Sequence, residues 1–112
     1  MSTLESLGDW MDWALADAPP DLVLRVRSAL PEGWRDVKTA DSSDIALRAA
    51  VNELRVLIER GCDTRGAAPG LLAVDALVTQ ACELAARAGE DIDAASGRMI
   101  SQIVSVGKDA TR

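Results

Sequence analysis

Apolar residues recur along this chain at the three- and four-residue spacing of helix faces, and the pattern breaks at prolines and glycines. In the first such run Leu4, Leu7, Met11, Ala14 and Leu15 share one side, with Glu5, Asp9 and Asp12 across from them. It predicts a helix over about 4–17, opened by Ser2 or Thr3 as N-cap and closed by "APP", where the chain is pushed towards extended geometry. Pro20 suits the first turn of a second helix, which buries Leu22, Val23, Val26, Ala29 and Leu30 and stops before Pro31. After the connector "PEGWRDVKTADSS", with room for a helical turn, Asp41, Ser42 or Ser43 caps a third helix running to Arg60 and Gly61. The loop "GCDTRGAAPG" leads into a fourth helix over about 69–88. A fifth, from about Ala94 to Val106, follows a cap at Asp91 or Asp93, and Gln102 spoils the alternation that a strand over "MISQIVSV" would need.

The expected fold is therefore an all-α, compact bundle of about five helices forming one domain over residues 1–112. Helix four is the central one: Leu71, Val74, Leu77, Val78, Ala81, Leu84, Ala85 and Ala88 form a broad arc, and Leu72, Ala73 and Ala76 make its first half apolar nearly all round. Helix five is expected to bury Ala95, Met99, Ile100, Ile103, Val104 and Val106.

Two helices carry more apolar surface than one neighbour can cover. On helix one Trp10 lies on the shoulder of the core stripe and Trp13 further round, nearly opposite Leu4. On helix three the main stripe, Leu47, Ala50, Val51, Leu54, Leu57 and Ile58, is matched by a second one of Ile45, Ala49 and Val56. Either the connector folds back over Trp13 through Trp34, or Trp10, Trp13, Ile45, Ala49 and Val56 form a contact surface, since tryptophan is enriched at binding hot spots.

Composition narrows the functional classes. Eighteen acids against twelve bases give a net charge of −6, the opposite of the field that gathers nucleic acid or anionic lipid. The chain start has no basic, apolar leader, and "LLAVDALV", interrupted by Asp75, is too short to span a bilayer, so the expected location is the cytoplasm with no membrane partner. Cys62 and Cys82 make no CxxC pair and are expected to be reduced, with Cys62 the faster to react. There is no histidine and no tyrosine, and no HExxH, P-loop, GxSxG or dinucleotide fingerprint. No catalytic residue, metal ligand or cofactor is assigned. "EDID" lacks the spacing of a calcium loop, and "GAAPG" lacks the lysine of a phosphate loop.

The residue that stands out is Asp75, placed on the most apolar stretch of the chain, with Thr79 one turn on. A carboxylate buried there needs a cation, and Arg48 or Arg55 of helix three are the expected partners. The run "LLAVDALVTQACELAA" resembles an apolar helix of polyprenyl synthases. The DDxxD motifs that hold metal and diphosphate in that family are missing here, so the resemblance implies no activity or site residue. The sequence thus points to a small acidic helical protein that acts as a homo-oligomeric interaction or scaffold module, with a protein as partner. The alternative is a small-ligand regulatory domain with a pocket around Asp75, and an enzyme of unrecognised type comes third.

Overall fold

The computed structural model describes residues 5–61 and 67–110. Five α-helices run in the order α1 (Leu7–Ala14), α2 (Pro20–Ala29), α3 (Ser43–Arg60), α4 (Ala67–Arg87) and α5 (Ile92–Ala110). Two 3-10 turns, Trp34–Asp36 and Thr39–Asp41, lie between α2 and α3, and no strand occurs among the described residues. The all-α bundle expected from the periodicity is the fold observed. Its shortest dimension, 22 Å against 47 and 33 Å for the other two, is the thickness of two helix layers.

α1 starts later than its hydrophobic pattern. Ser6 is the N-cap, its Oγ accepting a hydrogen bond from the Asp9 N–H at 3.2 Å. Ser6 is itself extended, because the connector takes the backbone groups on either side of it: Leu7 N–H donates to the Val37 carbonyl at 2.7 Å, and Thr39 N–H donates to the Glu5 carbonyl at 2.8 Å. Ser2, Thr3 and Leu4 lie outside the described residues. The connector turns at Gly33, where φ is +82° and a side chain would be strained. It buries Trp34, and it packs so closely on α1 that a Cβ at Gly8 would lie 3.0 Å from the Arg35 carbonyl oxygen. α3 is preceded by Ser42 in the N-cap position, but its hydroxyl does not cap: it donates back to the Lys38 carbonyl at 2.6 Å, tying the connector to the helix start.

The most extensive packing is α3 against α4. Ala46, Leu47 and Ala50 of α3 meet an arc of α4 in which Ala73, Leu77, Ala81 and Leu84 have no exposed surface. Small residues let the helix axes approach, and the leucines fill the space between them. Each fully buried leucine contributes about 1.5–3 kcal/mol over an exposed one. α4 also touches α2 and α5, and so does α3, so the centre of the bundle is the α3–α4 pair and not α4 alone as expected. By length and composition alone α4 could cross a membrane, with a mean hydropathy of 1.2 over an 18-residue window. Here its apolar arc is the core of the bundle.

Candidate functional site

Ion pairs fix the rim of the bundle. Asp12 of α1 accepts from Arg27 of α2 at 3.0 Å and, through both oxygens, from Arg35 of the connector at 3.3 and 2.7 Å. The Arg35 hydrogen bond, more than the positive charges of Arg35 and Arg27, holds the Asp12 carboxyl below its ordinary range, and burial opposes this. The same contact raises Arg35. At the other end Arg98 of α5 bridges Asp44 in the first turn of α3, at 2.8 Å, and Glu90 in the α4–α5 turn, at 3.1 Å. These contacts hold α1, α2 and the connector together at one end and clamp the start of α5 at the other.

Three concave regions stand out. The first is an open groove of about 340 Å³ between α1 and α4, lined by Trp10, Trp13, Ala14, Thr79, Gln80 and Glu83. Trp10 is buried and forms the groove's fixed edge: its indole Nε1–H donates to Gln80 Oε1 at 2.9 Å, and the Arg87 guanidinium lies 4.8 Å from its ring centroid. Trp13 stands beside it, ring centroids 5.5 Å apart and planes inclined by 59°, and is 57% exposed. The second groove, about 280 Å³, runs between the end of α2 and α3, with Ala29, Pro31, Ile45 and Ala49 as its apolar floor and Arg48 and Asn52 above. The third is a cavity of about 50 Å³ between α4 and α5, lined in part by Cys82 and Met99, whose sulfurs are 3.4 Å apart. Among the described residues no group of three or more His, Cys, Asp or Glu is placed to hold a metal ion.

The structure redistributes the expected site residues. Asp75 is exposed and forms no ion pair among the described residues, as are Arg48 and Arg55; Thr79 is exposed and lines the tryptophan groove instead. The expected buried Asp75 site is therefore corrected: the arc of α4 that meets α3 runs through Ala73, Leu77 and Ala81, and Asp75 projects from the opposite side. Leu71 and Leu72, on the same turns, are 45% and 59% exposed, so the apolar wrap of that stretch is surface and not core. Of the expected contact surface, Trp10 and Ala49 are buried within the bundle and unavailable to a partner. Ile45 is half-buried beside α2, and Val56 is exposed at 37%. Trp13 and Val56 are the members left open, and Trp13 the more so: the connector does fold back on α1, but over the Gly8 side. Cys82, expected to react more slowly than Cys62, is exposed, and Cys62 lies outside the described residues.

Sequence reasoning missed one surface. Ile100, Ile103 and Val104, expected in the core, are 61%, 38% and 48% exposed, while Ala95, Met99 and Val106 are buried. α5 is docked along one edge only, and its apolar arc is wider than that edge. Gln80 and Arg87 were also missed, because their partner Trp10 lies far away in the chain and no local pattern signals the pairing. Comparison with models of known families, with curated proteins and with solved structures finds no match.

Proposed function

We propose that this protein is a self-associating interaction module whose contact surface is the outer face of α5. The observation that carries the reading is the exposure of Ile100, Ile103 and Val104. They stand at i, i+3 and i+4 and so form one stripe along the helix. Single exposed apolar residues are ordinary, but a stripe on one helix face is the pattern that a second helix covers. Charge supports a second copy as that helix. Although the chain carries a net −6, α5 holds Asp93 and Asp109 against Arg98 and Lys108 and is neutral. Two copies can therefore pair there without the like-charge repulsion that α1, with Asp9 and Asp12 and no base, would impose. Twofold pairing is the commonest way for small proteins to cover such a stripe. A cytosolic setting belongs to the same proposal, since the exposed free thiol of Cys82 fits a reducing compartment.

Sedimentation velocity from about 1 to 100 µM tests it, the range in which a modest interface shows its dissociation constant. A dimer is expected for the native protein and a monomer for Ile100→Glu with Val104→Glu, with unchanged circular dichroism. A native protein that stays monomeric throughout, or a dimer indifferent to the double substitution, refutes the reading.

A further inference from the structure

We infer that the groove between α1 and α4 receives an arginine or lysine side chain presented by a basic protein partner, with Trp13 as the aromatic face and Glu83 as the counter-charge. The inference is independent of self-association through α5. Its first support is the chain itself. Arg87 already places a guanidinium 4.8 Å over the Trp10 ring, so a cation is stable against this aromatic pair. That contact occupies Trp10 and leaves the neighbouring ring of Trp13, at 57% exposure, open to a second cation. The opposite wall supplies Thr79 and Glu83, both exposed on α4, and Glu83 forms no ion pair among the described residues. An aromatic face and a carboxylate on facing walls attract an organic cation from two sides.

The surrounding charge points the same way. Between Glu5 and Leu24 the chain carries Glu5, Asp9, Asp12, Asp17 and Asp21 and no basic residue; the first is Arg25. Only Asp12 of these is taken up in an ion pair among the described residues. The segment that carries α1 is thus strongly acidic within a protein of net charge −6, a field that attracts basic partners and disfavours a second copy, and Glu83 places one carboxylate in the groove itself. The shape of the groove decides between a free small cation and a side chain delivered by a protein. Small-ligand sites enclose most of their ligand, whereas this groove lies open along its length, so a free cation would keep much of its surface in water. A side chain anchored on a partner surface has its solvent side covered by that partner.

The test uses the full-length protein labelled with ¹⁵N and three probes: a blocked Gly-Arg-Gly peptide, its neutral isostere with citrulline in place of arginine, and choline. The arginine peptide is expected to shift the Trp13 indole N–H and the Thr79 and Glu83 amides in a saturable way. The citrulline peptide should leave them unmoved, and choline should bind more weakly than the arginine peptide. Trp13→Leu and Glu83→Gln should each weaken the arginine peptide by about two- to fivefold, the range expected of a cation–π contact or an ion pair at an exposed site. Both side chains are exposed, so the fold should survive, and an unchanged spectrum elsewhere verifies that. Equal shifts with citrulline, shifts centred outside the groove, or affinity unaltered in both variants overturns the inference. Choline binding more tightly than the arginine peptide overturns it in favour of a small-molecule site.

Discussion

Replacing Gly8 by alanine tests how tightly the connector is moulded onto α1. In an unencumbered helix interior this change is stabilising by about 1 kcal/mol, because glycine loses more backbone freedom on folding. At Gly8 the new methyl would meet the Arg35 carbonyl oxygen and Cβ at 3.0 Å and its Cα at 3.2 Å, and two of those three atoms are backbone. The connector can yield only by stretching the Leu7–Val37 and Thr39–Glu5 hydrogen bonds, now 2.7 and 2.8 Å, each contributing about 0.5–1.5 kcal/mol. Inserting a methyl into a close-packed contact costs about 1–3 kcal/mol, so after the propensity gain the expected net effect is a loss of about 0–2 kcal/mol. For a chain of 112 residues 1 kcal/mol corresponds to about 4 °C in Tm, so Gly8→Ala should melt about 0–8 °C lower. Gly97, in α5, is the control: a Cβ there meets nothing within 4 Å, and Gly97→Ala should raise Tm by about 2–4 °C. Thermal unfolding followed by circular dichroism at 222 nm measures both. If Gly8→Ala raises Tm as much as Gly97→Ala does, the close approach of connector and helix is wrong.

Two further substitutions probe the polar surface. Asp12 has a folded-state pKa below its ordinary 3.8, so its contribution is fully present above about pH 3.8 and disappears as the pH falls through the lowered folded value. Its side chain is 43% exposed, so solvent screening holds the contribution of the pair of arginines to about 0.5–1 kcal/mol. Melting curves of native protein and Asp12→Asn should therefore differ by that amount at pH 7 and converge at more acidic pH; an equal gap at pH 7 and pH 2.5 refutes the assignment. Asp75→Asn should leave stability within about 0.5 kcal/mol of the native protein, as expected for an exposed residue with no ion pair among the described residues, and a larger loss in urea unfolding would restore a buried role.

The helices were legible in the sequence because their signals are local. Pro20 and Gly61 mark ends through their own backbone restrictions, and the fourfold spacing of Ala73, Leu77 and Ala81 defines a face whatever that face meets. The charge asymmetry and the lack of histidine likewise follow from composition. Tertiary structure decided everything that depends on which face finds a neighbour. A helical wheel ranks Leu72 and Leu77 alike as apolar, yet only Leu77 faces α3; the same applies to Met99 and Ile100 on α5. Asp75 was misjudged for this reason: apolar neighbours in the chain were taken for apolar neighbours in space. Trp10 and Trp13 differ by three residues and by little in pattern, and only the packing of α1 on α4 buries one against Gln80 and Arg87 while leaving the other in solvent. The shortened start of α1 has the same origin, because a backbone N–H that donates to Val37 is used by a segment thirty residues on, and periodicity contains no information about that bond.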